Sequence, residues 1–159
     1  MTTAPQHTGS DRLAYLNLPV ASASASRAFF TALGFSFDDR FSDATTACLQ
    51  LSDTAYVMLL ERERFADFTA RPTGDPASAT SAILAVSAAD RSAVDAFADT
   101  ALAQGATPAK EPLDYGSMYG RSFFDLDGHH WEVMWMSEEA AEQAGAGPSE
   151  ADATVGAPA

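Results

Sequence analysis

The sequence predicts an α+β fold built from two tandem βαβββ modules. The order strand–helix–strand–strand–strand occurs twice, over about residues 12–62 and again over 79–136. A glycine follows each predicted helix, Gly34 in the first copy and Gly105 in the second, and glycine is the residue that most often ends a helix. We therefore interpret the chain as an internal duplication of one unit.

The first copy opens with alternating apolar and polar residues over 12–20, which predicts a half-buried strand. One of the serines at 22, 24 or 26 is expected to cap a helix that ends at Gly34. Three further strands are predicted over 35–41, 45–51 and 55–60, followed by a short helix within 61–69.

The second copy repeats this order. Its elements are a strand over 81–86, a helix capped by Ser87 or Asp90, and a strand over 107–113. The pair Asp127-Gly128 then separates two apolar runs, which is a strong hairpin signal because glycine supplies the positive φ of a tight turn. The remaining ranges are a flexible leader (1–11), a linker (63–78) and an acidic tail rich in Ala, Gly and Pro (137–159).

The charge of the chain excludes some partners. Residues 12–136 hold sixteen acidic and nine basic residues, and the whole chain has a net charge of −13. This balance argues against nucleic acid and against anionic membranes, and it favours either a cationic ligand or simply a solubilising surface. Cys48 is the only cysteine, so no intramolecular disulfide is possible, and we predict a cytoplasmic protein.

The last predicted strand has two different faces. Trp131, Val133 and Trp135 fall on one side, where they must be buried against helices; the other side carries His130, Glu132, Met134 and Met136. An apolar surface with a few polar groups is typical of a ligand cavity. The alternative is an ordinary amphipathic edge strand on which His130 and Glu132 meet water.

Two further positions near the hairpin leave alternatives open. Arg121 is expected either to bind a substrate carboxylate or to pair with Glu132 or Asp125. The glycine-spaced loop 116–120, which includes Tyr119, is expected to be either a rim over the cavity or a plain connection. We expect His129 to lie in solvent at the turn.

Three segments resemble the vicinal oxygen chelate superfamily, which includes glyoxalase I, bleomycin-resistance proteins and extradiol dioxygenases. They are Leu-Asn-Leu-Pro-Val (16–20), Ser-Arg-Ala-Phe-Phe-x-x-Leu-Gly-Phe (26–35) and Phe-x-Asp-Leu-Asp-Gly-His-x-Trp-Glu-Val (123–133). The resemblance covers about residues 12–136. It implies curved mixed sheets around a cavity, and a homodimer.

Enzymes of that superfamily hold one divalent ion through residues on the first and last strands of each module. By register, the matching positions here are Tyr15, Met58, Ser81 and Glu132, of which only Glu132 is a usual ligand. Asn17 and His130 lie two residues from Tyr15 and Glu132, so Asn17, His130 and Glu132 form a second, weaker set. The resemblance therefore points to a protein without a metal; if one binds, Glu132 and His130 would hold it.

The sequence predicts a protein that binds a small molecule, with no cofactor. The residues expected to contact the ligand are Tyr15, Asn17, Tyr56, Met58, Tyr119, Arg121, His130 and Met134. The alternative is a metal-dependent lyase, isomerase or dioxygenase of the same superfamily, with one divalent metal ion and Glu132 as its ligand or as a catalytic base.

Overall fold

The computed structural model describes residues 12–145, with side chains as far as residue 142. The predicted leader (1–11) lies outside the described residues, and so does the part of the predicted tail that follows residue 145. The first half comprises β1 (Ala14–Val20), α1 (Ala23–Ala32), β2 (Ser36–Phe37), β3 (Thr46–Gln50), β4 (Ala55–Glu61) and α2 (Arg62–Ala66). The second comprises β5 (Ile83–Ser87), α3 (Arg91–Ala103), β6 (Thr107–Asp114), β7 (Met118–Phe124), β8 (His130–Met136) and α4 (Glu138–Gly145).

The strands form two four-stranded mixed sheets with the same topology. The strand order is β1-β4-β3-β2 in one sheet and β5-β8-β7-β6 in the other. In each, the first strand of the module runs parallel to the last, and the remaining pairs are antiparallel. The predicted fold class, two tandem βαβββ modules, is therefore confirmed.

The signals at the helix ends act as predicted. Ser22 caps α1 by accepting the Ala25 N–H at 3.2 Å, and Asp90 caps α3 by accepting the Ala93 N–H at 2.7 Å. Gly34 and Gly105, just after the helices, have φ values of 92° and 103°. Only glycine adopts such values without strain.

The second predicted strand is shorter than its sequence pattern. The pattern predicts a strand over 35–41, but β2 covers only Ser36–Phe37 and a 3₁₀ turn, Asp39–Phe41, follows. The Asp38 carboxylate accepts the backbone N–H of Arg40 at 3.0 Å and so stabilises the turn. A local hydrogen bond of this kind competes with strand pairing, which explains the difference.

One apolar core joins the two modules. Phe30 of α1 lies with its ring centroid 4.8 Å from that of Trp131 on β8, and Phe35 lies 5.8 Å from Phe97 of α3. Trp131 is fully buried, and Trp135 packs with Val133 against α3. Both tryptophans therefore face the helices, as the alternation in β8 predicts.

The predicted hairpin turn lies directly against the backbone of the linker. Gly128 has a φ of +93°, and a Cβ placed on it would lie 2.8 Å from Cα of Ala77. The backbone of the linker therefore crosses directly over this glycine.

Among residues 12–145, no helix has both the length and the apolar character that crossing a bilayer requires.

Candidate functional site

The two sheets each have a face that carries no helix. On the first sheet, strand pairing places Tyr15 opposite Tyr56 and Asn17 opposite Met58 on this face, because the alternating residues Leu18, Val57 and Leu59 are in the core. Tyr15 and Tyr56 stack with their ring centroids 5.2 Å apart and their planes 16° apart. Four of the residues that we predicted to contact a ligand therefore lie side by side.

The helix-free face of the second sheet carries the polar side of β8. His130, Glu132 and Met134 lie on it, opposite Phe124, Ser122 and Gly120 of β7. Strand β5 pairs with the other edge of β8, and it places Ile83, Ala85 and Ser87 opposite these same three residues. Small residues thus flank Glu132 and Met134, which leaves space above this part of the sheet.

His130 is buried without a hydrogen-bond partner for its Nε2 atom. The residue is 5% exposed, and its ring lies against Phe124, with the ring centroids 5.2 Å apart. Nε2 lies 3.9 Å from Oε1 of Glu132, which is too far for a hydrogen bond, and it has no other partner in the described part of the chain. Leaving a buried polar atom unpaired costs about 1–3 kcal/mol, so this atom requires a specific explanation, and a role in binding or catalysis is one.

A cleft of about 470 Å³ opens beside His130. Residues 16–19 of β1 form one wall, with Asn17 among them; the other is formed by Phe65 and by residues 74–76 and 78–82, which run from the linker to the start of β5. Asn17 and His130, which the sequence suggested as neighbours of the ligand, therefore line the same cleft. Ser81 lines it as well, but it precedes β5 and Ile83 takes the place in the sheet that Tyr15 takes in the first module.

A second, smaller depression of about 80 Å³ lies on the same face, next to Glu132. Ser122, Met118 and Met134 line it, together with Lys110 and Glu111 of β6. The Glu132 side chain is 25% exposed, and it lies beside His130 of the larger cleft. His130 lines the larger cleft and Glu132 lines the smaller depression, so the two neighbouring side chains lie between the cavities.

Tyr119 and Arg121 lie on the opposite face of the second sheet, toward α3. The Tyr119 hydroxyl donates a 2.8 Å hydrogen bond to Asp95, and this bond raises the pKa of Tyr119. The Arg121 guanidinium pairs with Asp99 at 2.7 Å and with Asp95 at 3.2 Å. Arg121 thus pairs with neither Glu132 nor Asp125, which corrects that expectation, and neither side chain lies with the other predicted ligand contacts.

The acidic and histidine residues of the hairpin motif bind the protein's own backbone. Asp127 accepts the Ala21 N–H at 2.6 Å, beside the start of α1. The ring Nε2 of His129 donates to the Pro19 carbonyl oxygen at 2.7 Å, and His129 is buried rather than in solvent as we expected. The motif that carries the family resemblance therefore joins the second module to the end of β1.

Asp125 is the centre of this junction. Its carboxylate accepts the indole N–H of Trp131 at 3.0 Å and the backbone N–H groups of Asp127 and His129 at 3.0 and 2.9 Å. Burial raises the pKa of Asp125, although the nearby His129 and these hydrogen bonds oppose that change. The Asp125 carboxylate has a structural role, because its hydrogen-bond partners are the backbone of its own turn and the buried indole of Trp131.

The described side chains do not fit a divalent metal ion held by three or four protein ligands. Glu132 is the one usual ligand among the matching positions, and Ala85 lies directly opposite it on β5. In the first sheet, Met58 lies opposite Asn17. Within residues 12–142, His, Cys, Asp and Glu side chains form no group of three that could hold a metal.

Two residues of the site were missed by the sequence analysis. Lys110 and Ser122 come from β6 and β7, and they form a cross-strand pair next to Glu132. The pattern around Lys110 is interrupted by Pro108 and Pro112, and register shifts occur on both sides of it. The one available signal was that Lys110 is the only lysine in the chain.

Comparison with known proteins identifies the fold. Residues 12–133 match the family described as the Glyoxalase/Bleomycin resistance protein/Dioxygenase superfamily. A hypothetical protein from S. aureus is 24% identical with a TM-score of 0.67, over 76% of this chain and 91% of that one. A glyoxalase/bleomycin resistance protein/dioxygenase family enzyme from Burkholderia phytofirmans PsJN is 20% identical with a TM-score of 0.65, over 79% and 98%.

Lactoylglutathione lyase from Agrobacterium tumefaciens is also similar in structure. It is 15% identical with a TM-score of 0.56, over 79% of this chain and 93% of that one. At these identities the likeness concerns the fold alone. Among curated proteins, none matches the chain.

Proposed function

Because the chain belongs to the glyoxalase/bleomycin resistance protein/dioxygenase superfamily, we propose that it binds a small molecule on the helix-free face of its second sheet. The observation that carries the proposal is the buried Nε2 of His130, which has no partner in the described residues and lies at the wall of a cleft. A ligand that offers a hydrogen-bonding group to His130 would satisfy this atom.

The surroundings of Glu132 favour a ligand with a cationic group and an apolar body. Glu132 is a carboxylate beside Met134 and Met118, and the cleft on the other side of His130 is largely apolar. Methionine side chains adapt to ligands of different shape, and a partly buried carboxylate attracts a cation more strongly than one in bulk water. The net charge of −13 favours the approach of a cation.

Three compounds of one size test this proposal: benzylamine (a cation), benzamide (neutral) and benzoate (an anion). Benzylamine should raise the melting temperature by several degrees, because a ligand at 100 times its Kd stabilises the folded state by about 2.7 kcal/mol. The shift should be lost in Glu132→Gln. The control is Glu139→Gln, an exposed glutamate on α4 that makes the same change in charge.

A result in which benzoate gives the larger shift, or in which Glu132→Gln responds to benzylamine as the unmodified protein does, contradicts the proposal. Substituting His130 by phenylalanine separates the contribution of the imidazole. Phenylalanine keeps an aromatic ring of similar size and removes both ring nitrogens, so a change in ligand response without a loss of stability indicates a contact between His130 and the ligand.

The alternative function is a metal-dependent lyase, isomerase or dioxygenase of the same superfamily that uses Glu132. The position of Glu132 beside His130, with 3.9 Å between Oε1 and Nε2, is the observation in its favour. The mismatch of the remaining donors weighs against it. Metal content measured on the purified protein discriminates between the two.

The proposal includes a homodimer in the cytoplasm. The edge strands β1 and β5 are each unpaired on one side in the described chain, and they expose Tyr15, Leu16 and Ile83 by 44%, 42% and 52%. Exposed apolar edges of this kind favour pairing with a second copy. Light scattering coupled to size-exclusion chromatography should give twice the chain mass; the monomer mass would contradict the dimer.

A further inference from the structure

We propose that the site binds a dipolar ligand, one that carries a cationic group and an anionic group on a short chain. Lys110 binds the anionic end and Glu132 binds the cationic end. This inference rests on the proposed binding function and narrows its ligand class. It is drawn from a row of side chains that crosses the second sheet through the depression beside Glu132.

The row is defined by the register of three neighbouring strands. Lys110 of β6 pairs with Ser122 of β7, and Ser122 pairs with Glu132 of β8. Residues directly opposite each other project on the same side of a sheet. An ammonium group, a hydroxyl and a carboxylate therefore stand in one line, and all three residues line the same depression.

The spacing of this row suits a bridging ligand. Neighbouring strands lie about 4.7–4.9 Å apart, so two strand spacings place the Cα atoms of Lys110 and Glu132 about 10 Å apart. Lys110 and Glu132 form no ion pair with each other. None of the ion pairs within 4.0 Å in the described structure contains Lys110. A ligand with both charges can bridge them over Ser122, whose hydroxyl can donate to one end or accept from the other.

The neighbouring charges leave Lys110 as the cation of this site. Arg121, which also borders the depression, is neutralised on the other face by Asp95 and Asp99. Arg91 pairs with Asp114 at the end of β6. Glu111 also lines the depression. With Glu111 and Glu132 the site has two carboxylates against one ammonium group, so it attracts the cationic end of the ligand more strongly than the anionic end.

The floor of the site is open because Gly120 has no side chain. Gly120 lies opposite Met134 on the same face as Ser122, and a Cβ added there would meet only ordinary contacts, with the Val133 carbonyl oxygen at 3.5 Å. A valine at this position should therefore be compatible with the strand, since β-branched residues favour strands, while its side chain fills the depression.

The test uses ω-amino acids and their singly charged counterparts. Binding of 4-aminobutyrate and 6-aminohexanoate is compared with that of butylamine, hexylamine and butyrate by isothermal titration calorimetry. One of the amino acids should bind more tightly than the amine of the same length, by about threefold or more, because it gains a hydrogen bond to a charged group.

The variants separate the two ends. Lys110→Gln should remove the advantage of the amino acid over the amine, whereas Glu132→Gln should weaken the binding of both. Arg71→Gln, an exposed arginine outside the depression, makes the same change in charge as Lys110→Gln and should alter neither. Gly120→Val should abolish binding of all compounds in the series while the melting temperature is retained.

Three results would overturn the inference. If the amines bind as tightly as the amino acids and Lys110→Gln has no effect, the ligand is not read at its anionic end, although the proposed function survives when Glu132→Gln still weakens the amines. If none of these compounds binds but benzylamine binds in a manner that depends on Glu132, the dipolar class is wrong and the binding function stands. If neither the amino acids and amines nor benzylamine require Glu132 for binding, the dipolar class and the proposed function are both wrong.

Discussion

The indole Nε1 of Trp131 donates a 3.0 Å hydrogen bond to Oδ2 of Asp125, and both side chains are buried. This bond connects the strand that carries the candidate site to the turn before it. The same turn holds Asp127 and His129 against the first module. Asp125, Asp127 and His129 of the shared motif therefore hold the start of β8 in place, whereas Glu132 of the same motif faces the candidate site.

Substituting Trp131 by phenylalanine removes the indole donor and keeps most of the apolar volume. We expect a loss of about 1–3 kcal/mol in the free energy of unfolding, because one oxygen of the buried carboxylate then has no donor. Urea denaturation measures the loss. The matched control is Trp135→Phe on the same face of β8, where the half-buried Trp135 makes no side-chain hydrogen bond within the described residues. An equal loss in both variants would contradict the role of the hydrogen bond.

Asp125 should make stability depend on pH in the opposite direction from an exposed, paired carboxylate. Its pKa in the folded state is raised above the usual 3.8 by burial, so the folded protein binds the extra proton more readily than the unfolded chain does. Its contribution to stability is therefore present below pH 3.8 and is lost as the pH rises through the folded-state pKa. The difference in unfolding free energy between the unmodified protein and Asp125→Asn should shrink as the pH rises through that window. A difference that grows would show that the three N–H donors outweigh burial.

Gly128 is expected to tolerate no side chain. Gly128→Ala should destabilise the protein for two reasons: the φ of +93°, which costs an L-residue about 1–2 kcal/mol, and the contact with the Ala77 backbone at 2.8 Å. Gly116→Ala is the matched control, because Gly116 has a φ of +78° and nothing within 4 Å of an added Cβ. The thermal unfolding of both variants should show the larger loss for Gly128. Equal losses would mean that the linker moves away without cost.

We predict that the protein purifies without a stoichiometric divalent metal and lacks lactoylglutathione lyase activity. Polarising a carbonyl and an enediolate oxygen on one ion requires about three or four protein ligands, and the positions Tyr15, Met58 and Ser81 do not supply them beside Glu132. Elemental analysis after purification without chelator, and an assay with added zinc, nickel, cobalt and manganese, measure this. One bound metal per chain that is lost in Glu132→Gln would establish the metal-dependent alternative instead.

Much of the fold could be predicted from local patterns. The duplicated element order, the capping residues Ser22 and Asp90, and the helix-facing side of Trp131 and Trp135 follow from interactions within a few residues of the chain. The same alternation placed His130, Glu132 and Met134 together on the other side of β8. These predictions succeeded because side chains two residues apart on a strand share a face whatever the strand packs against.

The tertiary structure alone decided what depends on distant partners. Strand β7 carries apolar residues on both faces, so its pattern does not tell which face Tyr119 and Arg121 occupy; pairing with β8 and the acidic side chains of α3 place them toward the helix. The burial of His129 results from Pro19, 110 positions away in the chain. Lys110 joins Glu132 only because β6, β7 and β8 pair in one register, since a shift of one residue would move its side chain to the other face.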